Sequence, residues 1–451
     1  MAKYFGTDGF RGKANVALTA DHAYKIGRFV GWYFKCANPA EKCKVVIGKD
    51  TRLSSYMFEH ALTAGLTASG VDVYLMHVTT TASISYITNK GGFCCGIMIT
   101  ASHNGYTDNG IKILNCHGEK IDDVFVEQLE NYIDGNLVVD GIVLHNLPFA
   151  TEERIGKAVD FVYGRVQYLD FLFSIAKLQL DGMRIGIDTA NGASWQIAQK
   201  HFERLGAKLF VLGANPNGTN VNKGVGSTHI ELLQQFVREN NLQVGFAFDG
   251  DADRCLCVDE NGKVVDGDLI LYLCAKDMAQ RGKLAKNTVV TTVMSNIGLY
   301  KALEKIGINY CKTGVGDRFV YEKMRMDGFQ LGGEQSGHII FGELENTGDG
   351  LVTATKVLQI MVEQNAPLSE LVKDVIIFPQ TLVNVAVHNK QKVVESEKLQ
   401  QIVQKQNGLL DGNGRVLVRA SGTEEVVRIM VEGETIELCH QVTKIVQSAI
   451  E

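Results

Sequence analysis

The chain has 451 residues, of which 45% are hydrophobic and 21% charged, with a formal net charge of −6. A single core stops growing near ~250 residues, so roughly two to four domains are expected, and the composition excludes a disordered or fibrous protein. The acidic balance excludes general nucleic-acid affinity, and no apolar run reaches the ~18 residues that cross a bilayer. The start, Met-Ala-Lys-Tyr-Phe-Gly-Thr-Asp, carries no apolar signal segment, so a cytoplasmic protein off the membrane is expected. Ten cysteines without a C-x-x-C pair indicate reduced thiols rather than a zinc site.

Short β-branched runs alternate with helical patterns. Lys44 to Gly48, Val71 to Met76 and Gly96 to Ile99 are predicted strands, with a helix from Tyr56 to Ser69 between the first two. This βαβ order gives a largely parallel sheet. It restarts with Arg184 to Asp188, Lys208 to Leu212 and Val244 to Phe248, and again with Thr288 to Val293, Ile308 to Lys312 and Phe329 to Leu331. The expected fold is therefore α/β, with three tandem similar α/β units whose sheets are mixed and largely parallel. After about Pro367, strands at Thr381 to Val387 and Val426 to Val431 flank a helix from Val393 to Gln406. A last helix from Thr435 to Ile450 completes a smaller C-terminal α+β domain. Boundaries are expected at 1–155, 156–254, 255–367 and 368–451.

In each α/β unit a strand runs into a polar, glycine-bearing loop, the place where open α/β sheets bind ligands. Asp249-Gly250-Asp251-Ala252-Asp253 puts a carboxylate at every second position with small spacers, so the oxygens converge on one hard divalent cation, Mg²⁺ above all. A calcium EF-hand fails because Arg254 stands where that loop needs glycine, and a solvated acidic turn seldom follows an apolar strand. Thr100-Ala101-Ser102-His103-Asn104 offers a serine nucleophile, with His103, Lys112 and a metal as candidate activators; alone, it also fits a polar turn. Arg419-Ala420-Ser421-Gly422-Thr423-Glu424, with Arg428 beyond it, has the hydroxyls, glycine and guanidinium of a phosphate cradle, or of a plain β-turn. Gly6-Thr7-Asp8-Gly9-Phe10-Arg11-Gly12 is a weaker glycine-rich candidate. Glu334, Gln335, Ser336 and His338 supply the short hydrogen bonds that a sugar needs, although His338 also fits a structural role.

These motifs, in this order, resemble the α-D-phosphohexomutase superfamily over essentially the whole chain, with Phe5 to Gly12 and Glu334 to His338 closest to its bacterial hexosamine-phosphate branch. The resemblance implies a heart-shaped molecule of four domains, each supplying one loop to a central cleft. It implies that Ser102 carries a phosphoryl group and joins Asp249, Asp251 and Asp253 around one Mg²⁺, with Arg11, Arg254, Lys112 and His103 as catalytic groups. Glu334, Ser336 and His338 would contact the sugar, and Arg419, Ser421, Gly422, Thr423 and Arg428 the idle phosphate. The implied reaction interconverts hexosamine 6- and 1-phosphates through a hexosamine or hexose 1,6-bisphosphate, which also serves as activator, and supplies amino-sugar precursor for the cell wall. Glucose or mannose phosphates, and a sugar-phosphate sensor without turnover, are the alternatives. Autophosphorylation or an activating kinase would load Ser102, and a homodimer remains open, as does the choice of His103 or Lys112 for proton transfer. The chain departs from the family at Gly105, Ala420 and Glu425, where proline is common. Freer residues there predict retained activity with looser phosphate affinity.

Overall fold

The structure, a computed structural model, describes residues 3–6, 8–37, 43–421 and 425–450. It forms two compact units, one of Met1–Val293 with Cys311–Val372 and the other of Met294–Tyr310 with Lys373–Glu451.

Among the described residues the first unit contains three larger sheets and a two-stranded hairpin. Its first sheet takes β1 (Phe5–Gly6), β2 (Gly9–Lys13), β3 (Lys44–Lys49), β4 (Asp72–Val78), β5 (Cys95–Ile99) and β6 (Asp108–Leu114). A small hairpin, β7 (Val138–Val139) and β8 (Ile142–Val143), precedes the seventh strand, β9 (Ala158–Asp160). The order is β1-β2-β6-β5-β3-β4-β9. Strand β3 is parallel to β4 and β5, whereas β6 runs antiparallel to both of its neighbours, β5 and β2. This register sets Met98 beside Lys112 and Arg11 beside Gly110, so Ser102, on the β5–β6 connection, shares a sheet end with both cations. Helices α1 (Ala20–Ala37), α2 (Leu53–Ala68), α3 (Thr81–Lys90) and α4 (Asp123–Ile133) belong to this part. Helices α1 and α2 pack backbone to backbone: a Cβ on Gly65 would lie 2.3 Å from Tyr24 O.

The second sheet contains β10 (Arg184–Asp188), β11 (Lys208–Leu212), β12 (Val244–Phe248), β13 (Cys255–Asp259) and β14 (Val264–Val265), in the order β11-β10-β12-β13-β14. Strands β10, β11 and β12 are parallel and form at the residues expected. Two expected boundaries cut through pairings: β9 lies past 155 but joins β4, and β13 lies past 254 but pairs with β12. Helices α5 (Tyr163–Ala176), α6 (Ile197–Arg204) and α7 (Glu231–Glu239) accompany this sheet.

Helix α8 (Gly267–Gln280) leads to the third sheet, β15 (Thr288–Thr292), β16 (Asn309–Thr313), β17 (Leu331–Gly333) and β18 (Ile339–Phe341), in the order β16-β15-β17-β18. In chain order, α9 (Ile297–Lys305) falls in the second unit, and α10 (Asp317–Asp327), α11 (Gly350–Gln364) and α12 (Leu368–Val372) in the first. Strand β17 begins two residues later than expected. Gly328, at φ +71°, ends α10, and the Phe329 N–H still donates to Met324 O at 2.9 Å.

In the second unit β19 (Gln380–Ala386), β20 (Arg415–Ala420) and β21 (Val426–Glu432) form an antiparallel sheet in the order β19-β21-β20. Its helices are α13 (Lys390–Val394), α14 (Glu397–Leu410) and α15 (Ile436–Gln447). The single helix expected from Val393 is two, because Ser396 is extended and its side chain caps α14 by accepting the Leu399 N–H. Leu399, Ile429 and Val446 are fully buried in this core. Among the described residues no helix is long and apolar enough to cross a membrane.

Candidate active site

The carboxyl ends of β5, β12 and β17 carry the serine, aspartate and glutamate loops, the place where open α/β sheets bind ligands. Ser102 is fully buried with φ +51°, a conformation rare for a residue with a Cβ. Its Oγ donates to Asp249 Oδ2 at 2.6 Å and lies 3.4 Å from His103 Nδ1. Its N–H donates to Thr100 Oγ1 at 2.9 Å.

Asp249, Asp251 and Asp253 are buried, each presenting one carboxylate oxygen within 4.8 Å of the others. Lys112 Nζ donates to Asp251 Oδ2 at 2.8 Å and to Asp253 Oδ2 at 3.0 Å, and Thr81 Oγ1 donates to Asp251 Oδ2. Asp251 Oδ1 and Asp253 Oδ1, buried as well, accept no hydrogen bond from the described residues. Two orphaned carboxylate oxygens beside a third buried carboxylate fit a hard divalent cation. The electrostatics agree. Burial and then the charges of Asp253 and Asp251 push Asp249 up to about 8. Burial works against the Lys112 charge, but Asp251, Asp253 and Asp8 outweigh it and hold the ammonium well above its ordinary range.

A belt of ion pairs flanks the triad. Arg11 Nη2 donates to Asp8 Oδ2 at 2.6 Å, and Lys120 bridges Asp8 and Asp317 at 2.7 and 2.6 Å. Arg254 Nε lies 3.9 Å from Asp253 Oδ1. The buried Nε atoms of Arg11 and Arg254 donate to no described residue, which leaves two N–H groups for an anion. His103 is pushed down to about 4, by burial first and then by Arg254 and Arg11, so its imidazole is neutral.

His338 is buried, with Nε2 3.5 Å from Asp317 Oδ2 and Nδ1 3.9 Å from Asp253 Oδ1. Burial disfavours its charge, but Asp317, Asp253 and Glu334 raise it to about 9. The Gly348 N–H, 3.0 Å from Nε2, opposes that second proton because it needs a lone pair there. Glu334 accepts the Gly316 N–H at 3.1 Å, and burial raises its carboxyl. The buried Ser336 Oγ has no hydrogen-bond partner among the described residues. The serine loop, the aspartate loop and the Glu334–His338 loop are thus brought together in the first unit.

Arg419, Ser421 and Arg428 lie in the second unit. Arg419 and Arg428 are register partners on β20 and β21, and Ser421 N donates to Val426 O at 2.9 Å across the hairpin. Gly422 and Thr423, like Thr7, lie outside the described residues. The Glu425 carboxylate sits 3.2 Å from Lys390 Nζ, so the added negative charge has a cation beside it.

Sequence reasoning missed Arg52, Asn222, Thr81 and the Lys120–Asp317 pair, and it gave Asp8, named within its loop, no role of its own. Arg52 and Asn222 both donate to the carbonyls of Ser102 and Asn104, at 2.8 to 3.0 Å. The available signal was Asp50-Thr51-Arg52, a polar run leaving β3 at the same sheet end as the serine loop.

The phosphoglucomutase/phosphomannomutase models match throughout: alpha/beta/alpha domains I, II and III at residues 2–137, 166–262 and 266–377, and the C-terminal domain at 382–447. A phosphoglucosamine mutase from Lachnospira eligens is 52% identical over 441 residues, covering 98% of this chain and 96% of that protein. One from Streptococcus gordonii is 46% identical, covering 97% and 96%. Among solved structures, a phosphoglucomutase/phosphomannomutase family protein from Burkholderia thailandensis has a TM-score of 0.82 at 24% identity, covering 100% of this chain and 98% of that one. The N-acetylphosphoglucosamine mutase of Aspergillus fumigatus, in complex with GlcNAc-6P and magnesium, has a TM-score of 0.69 at 18% identity, covering 100% and 96%. With all four of its domains matched in order and a relative of this likeness along nearly its full length, the chain belongs to the phosphoglucomutase/phosphomannomutase family of phosphohexomutases, which are isomerases.

Proposed function

We propose that the chain interconverts glucosamine 6-phosphate and glucosamine 1-phosphate through a phosphorylated Ser102 and a bound 1,6-bisphosphate. The observation that carries this reading is the Ser102 hydroxyl, bonded to Asp249 at the edge of a buried carboxylate triad with two unsatisfied oxygens. A buried nucleophile against such a triad suits group transfer better than mere binding. The curated relatives named above are phosphoglucosamine mutases, which favours the amino sugar over glucose or mannose.

In the forward direction the C1 hydroxyl oxygen of glucosamine 6-phosphate attacks the phosphorus on Ser102. The P–O bond to C1 forms, the P–Oγ bond breaks, and the hydroxyl proton passes to a base in the site. The bisphosphate turns over, its 6-phosphoryl returns to Ser102 Oγ, and a proton goes to the O6 left behind. Asp249, Asp251 and Asp253 would hold Mg²⁺, which supplies neutralisation of charge on the transferring group when bound. Arg11 and Arg254 direct free N–H groups at phosphate oxygens, and Lys112 remains an ammonium among carboxylates. His103, with Nδ1 3.4 Å from Ser102 Oγ, is placed to relay a proton there, its depressed basicity keeping it from retaining one. Glu334, Ser336 and His338 bind ring hydroxyls, while Arg419, Ser421 and Arg428 bind the idle phosphate. A 1,6-bisphosphate reloads any enzyme that has lost its phosphoryl group, which makes it the activator.

Two experiments test this. Ser102→Ala should abolish turnover even with bisphosphate present, and normal turnover would refute the carrier. Across glucosamine, N-acetylglucosamine, glucose and mannose 6-phosphates, kcat/KM should be highest for glucosamine 6-phosphate; a higher value for mannose would reassign the substrate.

A further inference from the structure

Ser102 holds a left-handed backbone conformation in a turn closed by the Asn104 N–H, which donates to Ala101 O at 3.1 Å, and by its own N–H, which donates to Thr100 Oγ1. The carbonyls of this turn point away from it and are held from outside the loop. Arg52 is fully buried at the end of β3 and is fixed by Asp50, whose Oδ2 accepts its Nε–H at 2.7 Å. Its Nη2 donates to Ser102 O at 2.8 Å and Asn104 O at 2.9 Å, and its Nη1 to Gly105 O and, at 3.2 Å, to Asp108 O. One guanidinium therefore binds four carbonyls of the serine loop.

Asn222 reaches the same loop from the other side, out of the segment between β11 and α7. Its Nδ2 donates to Ser102 O at 2.8 Å and to Asn104 O at 3.0 Å, so both carbonyls accept from two donors. Its own N–H donates to Ala190 O at 2.9 Å, tying it to the sheet that carries the aspartates. The Ser102 carbonyl also lies against Gly250, where a Cβ would come within 2.5 Å of that oxygen. The backbone of the nucleophile and the backbone of the aspartate loop are thus held in contact, and Arg52 and Asn222 close the join from two sheets.

We propose that Arg52 and Asn222 are positioning residues for phosphoryl transfer, clamping the Ser102 and Asn104 carbonyls so that the Ser102 hydroxyl stays aimed at the Asp249 carboxylate. Neither side chain touches the reacting atoms; each acts through the backbone of Ser102. The inference rests on Ser102 being the phosphoryl carrier. Near-attack geometry tolerates little error, and a displacement of ~1 Å costs on the order of 100-fold. Loss of the clamp should therefore lower kcat and leave the affinity for the sugar loop and the idle-phosphate loop intact.

The experiment uses the full-length enzyme with Mg²⁺, in the variants Arg52→Lys, Arg52→Gln and Asn222→Ala. It measures kcat and KM for glucosamine 6-phosphate, and the rate at which glucose 1,6-bisphosphate loads phosphate onto Ser102, followed by intact mass. Expected for Asn222→Ala and Arg52→Gln is a fall of roughly 10- to 100-fold in both kcat and loading rate, with KM within about twofold of the wild type. Arg52→Lys should fail nearly as badly, because an ammonium cannot span four carbonyls as a planar fork does. If Arg52→Gln does not fold, Asn222→Ala decides, since it removes only two donors. Folded variants with wild-type kcat and loading rate, or with a changed KM and unchanged kcat, overturn the inference alone. A wild-type enzyme that never takes phosphate on Ser102 overturns the carrier reading, and this one with it.

Discussion

Ser102 Oγ donates to Asp249 Oδ2 across 147 residues of sequence, and the carboxylate that accepts is the one raised to about 8. A raised carboxyl binds its proton more tightly folded than unfolded, so ionising it opposes folding as pH rises from about 4 to about 8. In chelator at pH 8, Asp249→Asn should therefore melt above the wild type, by roughly 1 °C for each kcal/mol of repulsion removed in a unit of this size. Adding Mg²⁺ should stabilise the wild type far more than the variant and should restore activity only to the wild type. Calorimetry with a Mg²⁺ titration checks both; equal stabilisation of the two proteins would separate Asp249 from the cation.

Arg419 and Arg428 stand opposite each other on β20 and β21. Burial and then the Arg428 charge lower the Arg419 guanidinium, a repulsion that a bound phosphate dianion relieves. Arg419→Ala should raise KM for hexosamine phosphates on the order of 10- to 100-fold with a smaller change in kcat. Because Lys390 lies beside the Glu425 carboxylate, the negative charge at 425 should weaken phosphate binding only modestly. Glu425→Gln should lower KM by about two- to threefold at low ionic strength, and steady-state kinetics in ~0.5 M salt should erase the gain.

What the sequence made legible depended on whether the signal was local. The parallel strands β10, β11 and β12 are short β-branched or apolar runs, and they form where their composition placed them. The aspartate triad is compressed into five residues, so its convergence is visible without a fold. Arg52 and Asn222 have no such signature, because each acts on backbone carbonyls 50 or more residues away. The Asp8–Lys120–Asp317 chain likewise exists only once α10 is brought beside the first sheet. Strand β20 escaped the strand reading, its arginines obscuring a run that alternates only weakly. Gly105 was misleading in the opposite sense. A loop that looks loose by composition is clamped by hydrogen bonds from elsewhere.

Gly337 holds φ +91° in the Glu334–His338 loop, and a Cβ there would approach Cys255 O to 2.4 Å. Gly337→Ala is opposed by both backbone strain and a clash with main chain. It should destabilise the first unit by about 1–3 kcal/mol, and the shifted loop should raise KM for hexosamine phosphate more than it lowers kcat. Thermal melting and kinetics on the same preparation check the pair. A variant with wild-type KM would show that Glu334, Ser336 and His338 do not depend on this turn.

His201 on α6 is buried, its Nε2 2.8 Å from Thr355 Oγ1 on α11 and its Nδ1 without a hydrogen bond among the described residues. Burial, and then Arg204, push its imidazole down to about 3. A histidine held neutral stabilises the fold fully above its unfolded pKa of about 6.5, where both states are uncharged. Below that, the unfolded chain takes up the proton and the folded chain does not. Stability therefore falls as pH drops from about 6.5 towards about 3, at up to ~1.4 kcal/mol per pH unit from this group alone. His201→Gln keeps a polar side chain but cannot titrate, so its urea midpoint should decline less than the wild type's between pH 7 and pH 5. Parallel declines in the two proteins would assign the acid sensitivity to the buried carboxylates instead.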